Sequence, residues 1–330
     1  MKVRREEIIN QSFSRCVYSL EPLTSYQIGL LDEQKLHVTV LPRELSEIQK
    51  AEQNEHIEFL IARDRDDIEQ VLDICTNLKF LFIVSTGVEK LPFKKLYDRQ
   101  VVVVNTGGVN SEIMSQYVMA YILADSARVC ENLNNQMRHY WKPNQCVDCL
   151  RDKSILLVGA GRVGRLVALK AKSFGMKCFG VKKHLEEIDG FEKIETLDHI
   201  NDLLPLSDYV VCCLPLTPET NNFFSEEKFN YMKQSSMFIN ISRGKCVNER
   251  DLINALLTCN IRQAVLDVYN EEPIHADSPL WDIPNLWLSP HSSGRLENFM
   301  DEAITLFCNN YMAYNNNEEL PNQVNLVNGY

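Results

Sequence analysis

The chain has 330 residues, of which 45% are hydrophobic and 24% charged, with a formal net charge of −11 at pH 7. That length accommodates two domains of ordinary size, and the composition is that of a globular protein. The acidic balance argues against nucleic acid or an acidic membrane surface as main partner, and no apolar run approaches the ~20 residues that span a bilayer.

Residues 1–7 carry basic side chains but no apolar core behind them, so no secretory signal is expected. The first hundred residues then alternate short apolar runs with polar, periodic segments. Cys16-Val17-Tyr18 and the runs 38–41, 59–62, 80–84 and 101–104 read as strands; the stretches around 22–33, 44–52 and 66–76 read as helices. Runs that stay apolar throughout belong to strands buried on both faces, so this is an α/β unit with a largely parallel sheet. Ile113, Tyr117, Val118, Tyr121 and Ile122 recur at helical spacing and predict one long helix from about 110 to 131. Residues 132–153 are polar and mixed, with Tyr140 and Trp141 among them, and read as an arm or linker.

Eleven cysteines are scattered through the chain, several in apolar stretches such as Val211-Cys212-Cys213-Leu214, which fits reduced thiols in a cytoplasmic protein. Cys146 and Cys149 have Cys-x-x-Cys spacing, but His139 alone stands nearby, so they read as loop thiols and not metal ligands.

A second strand–helix alternation starts with Ile155-Leu156-Leu157-Val158-Gly159-Ala160-Gly161-Arg162-Val163-Gly164. A buried strand runs directly into Gly-x-Gly-x-x-Gly and then a helix, the arrangement that holds a dinucleotide pyrophosphate. Gly159 allows the turn, Gly161 lets backbone amides approach phosphate, and Gly164 lets helix and strand pack closely, while the helix N-terminus offers N–H groups and partial positive charge. The strands of this unit are predicted at 155–158, 177–181, 209–214, 237–241, 263–267 and 285–289. A last helix at roughly 295–314 follows, and the Asn- and Glu-rich tail 315–330 is expected to be loosely held.

Ligands of a doubly wound sheet sit beyond the carboxyl ends of its strands. If these strands are parallel, Arg243, Asp267, Glu272 and His291 gather on the same edge as the glycine turn. Each alone has a structural explanation. Together, a cation, two carboxylates and an imidazole beside a dinucleotide turn make a candidate active site.

At this point the motifs resemble those of the D-isomer-specific 2-hydroxyacid dehydrogenases. The resemblance rests on the glycine turn, Ile241-Ser242-Arg243-Gly244, Leu266-Asp267-Val268-Tyr269 with Glu271-Glu272-Pro273, Asp277-Ser278-Pro279-Leu280-Trp281, and Ser289-Pro290-His291-Ser292-Ser293-Gly294. Upstream, Ser85-Thr86-Gly87-Val88-Glu89 and Asn105-Thr106-Gly107-Gly108-Val109-Asn110 look like that family's substrate loop and hinge, so about residues 75–300 are in register. The resemblance implies two Rossmann-like domains with doubly wound parallel sheets. One is a flavodoxin-like substrate domain of residues 1–102 and 295–330; the other is an inserted dinucleotide-binding domain of residues 103–294.

By the same resemblance, Arg243 anchors the substrate carboxylate and carbonyl, His291 is the acid/base, Glu272 orients it, and Asp267 holds the nicotinamide region. Thr86 and Gly87 grip the substrate carboxylate. Gly159, Gly161, Arg162, Val163, Gly164, Lys182, Lys183, Leu214, Pro215, Thr220, Ile241, Ser242, Ser293 and Gly294 line the cofactor, together with Asp267 and His291. The implied activity is reduction of a small 2-oxo acid to the D-2-hydroxy acid, or the reverse, by a homodimer joined through the cofactor domain. The alternatives are a cofactor-sensing, corepressor-like scaffold with weak turnover, and a formate- or phosphite-type dehydrogenase on the same fold.

The chemistry suits the residues. Arginine's planar fork binds two oxygens at once, histidine can carry or accept a proton near neutral pH, and no metal is needed. An NAD enzyme usually shows an acid roughly twenty residues past the glycines, where it holds the ribose hydroxyls. Here that position reads Gly180-Val181-Lys182-Lys183-His184, and lysines attract a 2′-phosphate, so NADP(H) is favoured over NAD(H). Two departures from the family pattern stand out: Gly107 replaces a frequent proline at the hinge, and Ser292 and Ser293 replace apolar residues after the histidine.

Overall fold

The computed structural model describes residues 15–41, 56–64 and 66–327. It divides into two compact units, Met1–Val109 with Glu297–Tyr330, and Asn110–Leu296. The helix expected at 44–52 lies outside the described residues.

The first unit is built from β1 (Arg15–Ser19), α1 (Ser25–Glu33), β2 (Leu36–Val40), β3 (Phe59–Ala62), α2 (Ile68–Ile74), β4 (Phe80–Ile83), α3 (Phe93–Asp98) and β5 (Val102–Asn105). Its five strands are all parallel, in the order β2-β1-β3-β4-β5. This is the flavodoxin-like order. The unbroken apolar runs are explained by burial on both faces: Leu60, Leu81, Ile83 and Val103 pack with Val71, Leu72 and Leu96, while Phe59, Phe80, Phe82 and Val104 pack against the last helix. That helix (Phe299–Asn316) supplies Ile304, Phe307 and Tyr311, with Phe82 edge-on to Phe307 at 5.4 Å.

The second unit contains α4 (Ser111–Ser126), α5 (Val129–Met137), β6 (Ser154–Val158), α6 (Arg162–Ser173), β7 (Lys177–Val181), β8 (Lys193–Glu195), β9 (Tyr209–Cys212), α7 (Glu226–Tyr231), β10 (Met237–Asn240), α8 (Glu249–Leu257), β11 (Gln263–Leu266) and β12 (Leu286–Leu288). The helix Phe299–Asn316 is therefore α9. The seven strands are parallel in the order β12-β11-β10-β9-β6-β7-β8. The order reverses between β6 and β9, which puts the topological switch point at the glycine turn. Both faces are again buried, by Val118, Ile122, Val167 and Ala171 on one side and by Phe224, Phe229, Leu252 and Leu256 on the other.

Three sequence expectations are corrected. The helix predicted over 110–131 is two helices, because Arg128 adopts a left-handed conformation at φ 57° and begins α5 in a new direction. The stretch read as an arm is helical as far as Met137, yet α5 has no buried residue. The tail is seated as far as Leu326, which packs against the core of the first unit: Gln323 bridges Val104, Val324 N–H donates to Val103 O at 2.8 Å, and Val324 is buried. The edge strand β5 has open backbone groups that this segment satisfies. The sequence reading also lacked β8, three residues with polar flanks and no buried side chain.

Candidate active site

Every candidate in the second unit lies where a strand of its sheet ends. After β6, Gly159 turns at φ 109°, and its N–H and that of Ala160 donate to Val181 O at 3.0 and 2.9 Å. A Cβ on Gly159 would stand 2.7 Å from Cys213 O, and one on Gly164 would stand 2.6 Å from Gly159 O, so turn, helix and β9 approach too closely for any side chain. Gly161 differs: it caps α6 with no side-chain acceptor, and a Cβ there would meet open space. An open approach to a helix N-terminus fits a pyrophosphate, with Arg162, Val163 and Gly164 as the first turn.

After β7 come Lys182 and Lys183. Lys182 N–H donates to Glu195 O at 2.9 Å, and its ammonium pairs with Glu186, as does the Arg165 guanidinium. The bond to Lys182, more than that to Arg165, holds the Glu186 carboxyl below the usual carboxylate range. Sequence reasoning missed Glu186, although its i,i+4 spacing from Lys182 was a signal.

After β9, Leu214 and Pro215 lead to Thr220, whose hydroxyl donates to Pro215 O at 2.6 Å and accepts from Thr217 N–H at 2.8 Å, closing the loop. After β10, the buried Asn240 shapes the turn. Its Oδ1 accepts from Ser242 N–H and Oγ at 3.1 and 2.8 Å, and its Nδ2 donates to Arg243 O at 3.1 Å. Asn240 is a second residue missed from sequence, signalled only by an asparagine at a strand end before a serine. Beneath this turn, burial pushes the Cys212 thiol up, and its hydrogen bond draws that of Cys246 down. A Cβ on Gly244 would lie 1.9 Å from the Tyr269 carbonyl carbon, so the arginine turn presses directly on the loop that carries Glu272.

After β11, Asp267 is fully buried. It accepts from Ser289 Oγ at 2.6 Å, Ser292 N–H at 2.8 Å and Ser293 N–H at 2.9 Å. Tyr117, from α4, hydrogen-bonds Ser289 Oγ in turn, and burial above all pushes its hydroxyl pKa up, keeping it neutral. Asp267 thus fastens the loop on either side of His291. That histidine sits at φ 50°, a left-handed conformation uncommon for a non-glycine residue. Its Nδ1 lies 2.7 Å from Glu272 Oε2, while Glu272 Oε1 accepts from Tyr269 N–H at 3.0 Å. A carboxylate facing Nδ1 makes that nitrogen the N–H and leaves Nε2 for chemistry. Beside the pair lies a hollow of about 640 Å³ lined by Tyr269, Ile274, Trp281, Leu288, Pro290 and Arg295.

The structure therefore brings Glu272 to His291, ties Asp267 to the His291 loop, and sets the Arg243 turn against the Glu272 loop. Ser293 and Gly294 continue the His291 loop, and Ile241 joins β10 to the arginine turn. Thr86 and Gly87 belong to the other unit and follow β4.

A doubly wound sheet with a pyrophosphate-fitting turn at its switch point, and a histidine–carboxylate pair on the same edge, defines the class of nicotinamide-dinucleotide oxidoreductases. The family model for the D-isomer specific 2-hydroxyacid dehydrogenase NAD binding domain matches residues 119–293. Glyoxylate reductase of Korarchaeum cryptofilum is 30% identical over 263 residues, covering 78% of this chain and 79% of its own. Glyoxylate/hydroxypyruvate reductase B of Escherichia coli is 31% identical over 272 residues, covering 79% and 84%. The solved structure of a D-isomer specific 2-hydroxyacid dehydrogenase family protein from Aeromonas salmonicida superposes with a TM-score of 0.79 at 28% identity, covering 94% of this chain and 98% of that one. The chain belongs to the D-isomer specific 2-hydroxyacid dehydrogenase family, and is an NAD(P)-dependent oxidoreductase. No helix among the described residues is long and apolar enough to cross a membrane.

Proposed function

We propose that the chain interconverts a small 2-oxo acid and the D-2-hydroxy acid, with Arg243 as the anchor of the carboxylate and carbonyl and His291 as the acid/base. The observation that carries this reading is the 2.7 Å contact of His291 Nδ1 with Glu272 on the sheet edge that holds the glycine turn and Arg243. The dinucleotide, when bound, supplies or accepts the hydride. The protein's own part is alignment and electrostatics. Arg243 binds two oxygens and draws electron density from the carbonyl. His291 Nε2 delivers a proton to the carbonyl oxygen in reduction and takes it back in oxidation. Glu272 faces Nδ1 and fixes the orientation of the imidazole. Asp267 acts through the loop amides it holds, beside the expected nicotinamide position. The resemblance adds Thr86 and Gly87 as substrate contacts.

Lys182 and Lys183 in place of the expected acid support NADP(H) as the favoured cofactor. The uncovered apolar side chains of α5 and the segment after it, with Trp141 88% exposed, support a homodimer through this unit. A monomeric mass by light scattering would remove the dimer.

The test is a panel of 2-oxo acids with each reduced cofactor, followed by absorbance. Turnover that collapses in His291→Ala, with dinucleotide affinity near the parent's, supports the assignment. Retention of more than about a tenth of parent turnover, one decade or ~1.4 kcal/mol, rejects it.

A further inference from the structure

One carboxylate is shared by two cations beside the dinucleotide turn. Lys182 directly follows β7, and Arg165 stands in the first turns of α6, directly behind the glycines. Both side chains reach the same oxygen of Glu186. The backbone at Lys182 is tied to Glu195 O, and the neighbouring Val181 O accepts two amides of the glycine turn, so the cluster is held to the turn itself. In a doubly wound fold this is where the adenosine ribose lies. A lysine and an arginine converging on one oxygen is also how a phosphate is held.

We propose that Glu186 determines cofactor choice by occupying the Lys182–Arg165 pair as an internal anion that a 2′-phosphate must displace and a ribose 2′-hydroxyl need not. Lys182 and Arg165 therefore do not act as an open phosphate socket. Their attraction for NADPH is opposed by a carboxylate already in place, and that carboxylate can accept a hydrogen bond from the hydroxyl of NADH. Removing its charge strengthens NADPH and weakens or leaves unchanged NADH. The inference rests on the dinucleotide reading of the glycine turn but not on the identity of the oxo acid.

The experiment is a fluorescence titration of the purified full chain with NADPH and with NADH, without substrate, for the parent, Glu186→Gln, Lys182→Ala and the double variant. Glu186→Gln is expected to move the ratio of the two dissociation constants toward NADPH by about threefold or more, the scale of exposed ion-pair competition. Lys182→Ala should weaken NADPH selectively and abolish most of the Glu186→Gln effect in the double variant. A ratio that moves by less than about threefold in Glu186→Gln, or moves toward NADH, overturns the proposal. So does an undiminished Glu186→Gln effect on the Lys182→Ala background. A parent that binds neither dinucleotide overturns the reading of the turn and this inference with it, a pattern distinct from the other two.

Discussion

Replacing Glu272 by glutamine tests the proposed acid/base pair at its support. Glu272 uses both carboxylate oxygens, one facing His291 Nδ1 at 2.7 Å and one accepting from Tyr269 N–H at 3.0 Å. Glutamine has one oxygen, so one donor must face an amide NH2. The lost bond is charge-assisted and is worth roughly 1.5–3 kcal/mol in a protected setting. Here the side chains of His291 and Glu272 are 48% and 35% exposed, and solvent competition places the loss near the lower figure. At ~1.4 kcal/mol per decade, that is a fall in kcat of about tenfold to thirtyfold. His291→Gln removes the proposed proton carrier itself and should cost about a hundredfold or more. Both variants are assayed by absorbance with the best oxo acid at saturating cofactor, and dinucleotide dissociation constants are measured alongside. The expected pattern is a loss in kcat with little change in cofactor affinity. Glu272→Gln turnover within about twofold of the parent would refute the argument, since a twofold change corresponds to ~0.4 kcal/mol.

Arg243→Lys keeps the charge but loses the fork, so kcat/KM should fall about a hundredfold, with the rise in KM and the fall in kcat separable by steady-state kinetics; an unchanged kcat/KM rejects its placement. Gly244→Ala puts a Cβ 1.9 Å from the Tyr269 carbonyl carbon, so the variant should lose about 1–3 kcal/mol in denaturant titration and also lose turnover, because the Glu272 loop must move. At the opposite sheet edge, burial raises the Asp208 carboxyl, but its bonds to Lys233 and to Ser154 N–H and Oγ outweigh that and leave it below its ordinary value. A depressed carboxyl contributes stability that is present above its unfolded value and lost as pH falls through the folded one. Asp208→Asn should therefore destabilise by about 1–3 kcal/mol at pH 7, with the difference shrinking below about pH 4; a difference that is independent of pH counts against the ion pair.

The class of fold and the sheet edge on which the candidate residues gather were legible without coordinates. Uninterrupted apolar runs such as 59–62 and 155–158 can be satisfied only by burial on both faces, and parallel strands with a glycine turn at the switch point direct the polar strand-end residues to one edge. Those signals are local: they depend on period, composition and immediate neighbours along the chain. The break at Arg128 was not legible, because the apolar spacing continues past it and an arginine does not itself signal a left-handed turn. The resemblance implied the Glu272–His291 pairing, but tertiary structure decided its geometry and which other partners meet. It bound Glu272 to His291 across 19 residues, buried Asp267 under the serines after the histidine, seated the tail along β5, and brought Arg165 and Lys182 onto one carboxylate. A residue's type limits the bonds it can make, whereas the distance at which a partner stands is fixed only when the sheet and its loops are packed.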